Sequence, residues 1–138
     1  MIGSGKDRPL TQSPAIAIVD DDASVRASTS SLVRSHGYTV YTFASAEEFL
    51  QSDRLNDMSC IISDIRMPAM SGVELQSHLL SRGHRVPFIF ISAFPDEANY
   101  NQAMLAGAIC FLTKPFNGPH LMECLDTALS REGEGSPG

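Results

Sequence analysis

The sequence lacks the features that would mark a membrane, secreted or nucleic-acid-binding protein. Its 138 residues contain no Trp and only three Cys, with no C-x-x-C pair. An odd, scattered set of cysteines argues for reduced thiols in a cytoplasmic protein and against a disulfide framework. Cys60, Cys110 and Cys124 are therefore expected to be buried small apolar residues. The longest charge-free stretch, Ala98–Thr113, is too short and too polar to span a bilayer. No apolar signal segment opens the chain. Basic residues are few, 10 Lys and Arg against 16 Asp and Glu, and the net charge is −6. They are scattered, and just two of them, Lys6 and Lys114, are lysines. Phosphate backbones are held mainly by clustered cations, so no nucleic acid is expected to bind this chain. Repeats of 20–50 residues are absent too. What remains, 43% apolar and 19% charged, is the composition of one globular domain.

The ends read as flexible tails. Residues 1–14 and 131–138 are rich in Gly, Pro, Ser and charge without apolar period, the latter being a tail or the start of a linker. Between them, over 15–130, short apolar runs recur at Ala15–Val19, Tyr38–Thr42, Cys60–Ile62, Phe88–Ile91 and Ile109–Leu112. Most are unbroken, as parallel strands covered on both faces require, and the second reads more like an edge. Helical signals fill the gaps. Asp21 and Asp22 are cap candidates before a face of Val25, Leu32, Val33 and His36. Ser45 with Glu48, and Ser71 with Glu74, fit capping boxes. Glu97–Ala106 follows Pro95, and Asn117-Gly118-Pro119 opens the last helix. Five strands alternating with five helices imply an α/β, flavodoxin-like (βα)5 domain: a doubly wound, five-stranded parallel sheet in the order 2-1-3-4-5.

In such a sheet all strands point their C-terminal ends at one edge, where ligands bind. The residues following each run should therefore meet there: Asp20, Asp21 and Asp22 after the first, Asp64 after the third, Ser92 after the fourth, Lys114 after the fifth. On this reading −3 of the −6 sits at one rim. Two carboxylates about 4 Å apart repel by roughly 4 kcal/mol at an effective dielectric near 20. Such a cluster raises a pKa or takes up a cation. Carboxylate oxygens with an open side suit Mg²⁺, which keeps waters or phosphate oxygens in its remaining positions. Asp64 could then act as a carboxylate nucleophile toward a phosphoryl group. Lys114 would bring a mobile positive charge to that group and Ser92 a hydrogen bond.

Val19-Asp20-Asp21-Asp22, the string from Asp64-Ile-Arg-Met-Pro through Ser71-Gly-Val-Glu-Leu75, Ser92-Ala93 and Lys114-Pro115-Phe116 together resemble the two-component response-regulator receiver domains, CheY-like proteins. The string looks most like the FixJ-type branch, whose members usually carry a C-terminal helix-turn-helix output domain. The resemblance covers roughly residues 15–130. It implies that Asp64 is the phosphoacceptor. Asp20 and Asp21 would be the acid pair, holding Mg²⁺ together with Asp64 and the backbone carbonyl of Arg66. Ser92 would be the switch hydroxyl, Phe111 the switch aromatic and Lys114 the phosphate-binding lysine. A sensor histidine kinase, or a small acyl phosphate, would supply the phosphoryl group. The face built from the fourth helix, fifth strand and fifth helix would then change and engage a partner, an output domain or a second copy. A homodimer through that face, or through the first and fifth helices, is implied. Any DNA-binding output would need residues that are not here. Ser92 stands where Thr is commoner and Phe111 where Tyr is frequent, so a switch that depends on a ring hydroxyl is not available.

Each residue also has a plainer reading. The aspartates after the first run suit a helix N-terminus, Ser92 can simply end a strand, and Phe111 can be core. Two rival functions remain in view. A haloacid-dehalogenase-like phosphatase also uses an Asp nucleophile and Mg²⁺, but that class wants Asp-x-Asp where Asp64-Ile65-Arg66 stands. A receiver fold acting as an interaction module without phosphorylation would not need the acid pair, acceptor and lysine. The expectation is a regulator, not an enzyme, with only self-phosphorylation and self-dephosphorylation chemistry.

Overall fold

The computed structural model describes residues 13–135, with side chains to residue 130. Its elements run β1 (Ala15–Val19), α1 (Ala23–Ser35), β2 (Thr39–Phe43), α2 (Ala46–Leu50), β3 (Cys60–Asp64), α3 (Gly72–Ser81), β4 (Phe88–Ser92), α4 (Glu97–Leu105), β5 (Cys110–Thr113) and α5 (Gly118–Gly135). A single 3-10 turn at Leu55–Asp57 precedes β3. The strands form one parallel sheet in the order β2-β1-β3-β4-β5. That is the expected flavodoxin-like arrangement; β1 coincides with its apolar run, and the other strands differ from theirs by one or two residues.

Alternation along the strands divides the core in two. Ile16 and Ile18 of β1 point to one side, where they meet Val33 of α1 and Leu121, Leu125 and Ala128 of α5. Ala17 and Val19 point to the other, toward Phe49 of α2, Leu75 and Leu79 of α3 and Ala103 of α4. The middle strands are buried on both faces, which is why they read as unbroken apolar runs. β2 at the edge alternates exposed and buried residues, as anticipated.

The caps follow the local chemistry. Asp22 accepts the amides of Ser24 and Val25 and so starts α1. Ser71 and Glu74 form a complete capping box on α3. Ser45 accepts the Glu48 amide, but Glu48 reaches one residue further back, to Ala44 N–H at 2.6 Å. The expected face of α1 holds in part: Val33 is buried, Leu32 packs on the core and Val25 is half-buried, but His36 is an exposed C-cap and Thr29 and Ser30 are buried instead. Thr29 and Ser30 share the inward side with Val33 at helical spacing, and being polar they were not marked by an apolar pattern.

The cysteines need a correction. Cys110 and Cys124 are bonded to each other rather than standing as separate thiols, while Cys60 is buried in β3. Packing of α5 on β5 brings two residues 14 apart in sequence to a Cα separation of 6.2 Å, within bridging range. No local spacing motif could reveal that proximity. At the ends, residues 1–12 of the segment read as an N-terminal tail lie outside the described residues. The next two residues join the fold, Ser13 Oγ lying 2.7 Å from Thr39 Oγ1 and the Pro14 carbonyl accepting Thr39 N–H. The helix α5 runs to Gly135, past the boundary expected at residue 130, because each added residue gains a hydrogen bond once a helix is nucleated. Residues 136–138 lie outside the described set.

Phe49 is the anchor of the five-residue α2, fully buried and edge-on to Phe43 at 5.1 Å. Phe49→Ala is expected to cost about 3–5 kcal/mol in urea unfolding. A loss under about 1 kcal/mol would show that α2 is not held by this contact.

Candidate functional site

At the C-terminal edge of the sheet the predicted residues come together. Asp20 leaves β1 and is 3% exposed, Asp64 ends β3 at 5%, and Ser92 ends β4 at 1%. Lys114 follows β5, its own N–H bonded to the Ser92 carbonyl at 2.8 Å, so the β4–β5 ladder itself sets where the lysine departs. The Lys114–Pro115 peptide is cis. Lys114 Nζ lies 3.1 Å from Asp20 Oδ2 and 3.5 Å from Asp64 Oδ2, bridging the two carboxylates. The other oxygen of Asp20 accepts the Asp22 amide at 2.9 Å.

Asp20, Asp21 and Asp64 each present a carboxylate oxygen, all within 4.8 Å of one another. The donor set is oxygen only, with Asp21 exposed on the open side, which suits a small hard cation such as Mg²⁺. Asp22 is not part of this set, since its side chain is occupied in capping α1. The site therefore carries a net −2 from three carboxylates and one ammonium, rather than the −3 anticipated.

Electrostatics single out Asp64. Burial, then the Asp20 charge, push its carboxyl up from an ordinary 3.8 to about 6; Asp21 adds to the rise and Lys114 opposes it. Burial depresses the Lys114 ammonium, but its hydrogen bonds and charge attraction to Asp20 and Asp64 outweigh that and raise it. Lys114 thus stays charged throughout the range in which Asp64 titrates.

The remaining predicted residues flank this centre. Ser92 Oγ accepts the Phe94 amide at 3.2 Å. Phe111 is half-buried between Phe90 at 6.4 Å and Tyr100 at 5.4 Å. The Arg66 side chain lies along the β4–α4 loop, 3.9 Å from Asp96 and 5.8 Å over the Phe94 ring. Two supports were not singled out by sequence reasoning. Gly72 opens α3 so close under the acidic residue that a Cβ there would overlap the Asp64 carbonyl, and Ser63 Oγ donates to the same carbonyl at 2.8 Å. The Ser-Gly pair was legible as a cap, but this close approach arises from packing between α3 and β3.

The response regulator receiver domain model matches residues 16–126. Response regulator protein TmoT of Ectopseudomonas mendocina is 43% identical over 125 residues, 91% of this chain and 57% of that protein. Transcriptional regulatory protein FixJ of Azorhizobium caulinodans is 34% identical over 125 residues, 91% of this chain and 59% of that one. The crystal structure of FixJ-N superposes with a TM-score of 0.77 at 35% identity, covering 86% of this chain and 95% of that one. The chain thus spans a little over half the length of these curated relatives.

Two outcomes follow from the geometry. Between pH 3.8 and about 6 the folded state holds the Asp64 proton more tightly than the unfolded state, so stability falls as pH rises through that window. Asp64→Asn, which removes the charge and keeps the shape, should unfold less readily than the parent at pH 8 in EDTA, by on the order of 2 kcal/mol. The gain should vanish near pH 4; equal stability at both pH values would contradict the assigned environment. Gly72→Ala should destabilise by about 1–3 kcal/mol, read in the same denaturation assay, because backbone must move to admit the methyl group.

Proposed function

Because the chain belongs to the response regulator receiver domain family, we propose that this signalling switch works by phosphorylation of Asp64 in a two-component system. The single observation that carries the reading is the convergence of Asp20, Asp21, Asp64 and Lys114 at the sheet edge, with a carboxyl whose pKa near 6 leaves it mostly ionised at neutral pH. An ionised Asp64 oxygen attacks the phosphorus of a donor phosphohistidine or acyl phosphate. The new O–P bond forms as the donor P–N or P–O bond breaks, and the donor atom keeps the electron pair. Asp20, Asp21, Asp64 and the Arg66 backbone carbonyl would hold Mg²⁺, whose charge when bound neutralises both the carboxylates and the incoming phosphoryl group. Lys114 turns from its bridge between the two carboxylates to a phosphoryl oxygen.

The switch follows from what Ser92 now does. Its hydroxyl is engaged by the Phe94 amide, and turning to the phosphoryl group would release that amide and empty the space beside β5. Phe111, packed edge-on against Tyr100, then rotates inward. The face of α4, β5 and α5 changes with it. Exposed Tyr100 and Leu105 on α4 support a role for that face in binding a partner or forming a homodimer, with the α1–α5 face as the other route. The donor is a sensor histidine kinase, and a cytoplasmic setting suits that exchange. Beyond its own phosphorylation and dephosphorylation the chain carries no turnover chemistry. The carboxylates at the site and the excess of acid over base count against direct contact with nucleic acid.

Acetyl phosphate with Mg²⁺ should add one phosphoryl group per chain by intact mass, and Asp64→Asn should abolish it. Labelling of Asp64→Asn at the parental rate sinks the assignment. In the parent the initial rate at limiting Mg²⁺ should climb as pH rises through about 6 and then level, since only the ionised carboxylate attacks.

A further inference from the structure

Resting on the metal reading above, we infer that Arg26 is a positioning residue for the acid pair, acting through the Asp20 backbone rather than by touching the ion. The β1–β2 register ends with Val19 opposite Phe43, and the Asp20 N–H makes the last ladder bond, to the Phe43 carbonyl at 3.1 Å. β2 stops there, so the Asp20 carbonyl points beyond the ladder with no strand partner. Arg26, on the first turns of α1, supplies one: its Nη1 donates to that carbonyl at 2.7 Å. A charged donor makes this a short, strong bond, and the planar guanidinium fixes its direction.

The consequence passes along the peptide. The Asp20 carbonyl and the Asp21 nitrogen share one rigid plane, so gripping the oxygen sets the direction in which Asp21 leaves β1. Asp20 itself is already restrained through both carboxylate oxygens, by the Asp22 amide and Lys114. Asp21 is exposed and has no such burial to orient it. The Asp22 N–H bond to Asp20 fixes the peptide after Asp21, and Arg26 fixes the one before it, so that the exposed member of the carboxylate trio is held within reach of the other two.

The same helix provides its own control. Arg34, two turns further on, donates from Nη2 to the Val40 carbonyl at 3.3 Å, near the end of β2 remote from the site. Both arginines fasten α1 to the sheet edge, but only one fastens the peptide between two proposed ligands. Charge and geometry also predict opposite signs for Arg26. Removing a nearby positive charge would by itself tighten cation binding, whereas losing the grip on the peptide would weaken it.

The test is a Mg²⁺ titration of the 138-residue chain carrying Arg26→Met, Arg26→Lys or Arg34→Met and of the parent, followed by amide NMR shifts at Asp21 and Asp64, with a thermal melt of each in EDTA. Arg26→Met should raise the Mg²⁺ dissociation constant at least fivefold. Arg26→Lys should recover most of that, and Arg34→Met should stay within twofold of the parent while losing a comparable amount of melting temperature. Unchanged or tighter binding by Arg26→Met, or equal weakening by Arg34→Met, would overturn the role of Arg26 and leave the metal reading standing. A parent that shows no Mg²⁺-dependent shifts would overturn the metal reading, and the role of Arg26 with it.

Discussion

The bridge of Lys114 between Asp20 and Asp64 is the interaction on which the site depends. Two buried carboxylates held this close are unfavourable, and the lysine offsets part of that cost at 3.1 and 3.5 Å. Burial first, and then the Asp20 charge, outweigh that help, and the Asp64 carboxyl remains raised to about 6. The arrangement is incomplete in a useful sense. It carries excess negative charge on the open side, through exposed Asp21, beside the single ammonium of Lys114.

The sheet exists, in functional terms, to keep those charges together. Each of Asp20, Asp64, Ser92 and Lys114 sits at or just past the end of a different strand, and parallel pairing brings the ends to one edge. Buried apolar layers on both faces of the sheet and the ladder bonds between strands oppose the drift of strand ends that would relieve the repulsion. Local devices finish the job. Gly72 lets α3 start directly under Asp64, the ladder bond from Lys114 to Ser92 aims the lysine, and Arg26 ties off the Asp20 carbonyl. Against this stiff frame the β4–α4 loop is the softer part. Phe94 is 68% exposed, α4 buries only Ala103, and Ser92 is joined to the loop by one neutral hydrogen bond.

Much of this was legible in the chain of residues because the signals are local. Unbroken apolar runs marked the central strands, the alternating run marked the edge, and Ser71 with Glu74 marked the start of α3. The rim residues were legible for a different reason: topology alone sends every strand end to the same side. Where the reading failed, the cause was a contact between segments distant in sequence. The Cys110–Cys124 pairing depends on how α5 lies on β5. The buried face of α1 keeps helical spacing through Thr29, Ser30 and Val33, but two of these are polar, so contact with the sheet and not apolar pattern reveals it.

The sequence by itself determined the order of elements, the parallel sheet and the set of side chains that could meet at its edge, since periodicity, caps and strand polarity act over a few residues. Only the tertiary structure decided how those side chains divide their work. Asp22 is consumed as a cap while Asp20 and Asp21 face the site, because the turn from β1 into α1 leaves Asp22 beside the free amides of Ser24 and Val25. Lys114 meets two carboxylates at once because β1 and β3 are adjacent and β5 is held by β4. Those are distances between strands, and no spacing along the chain encodes them.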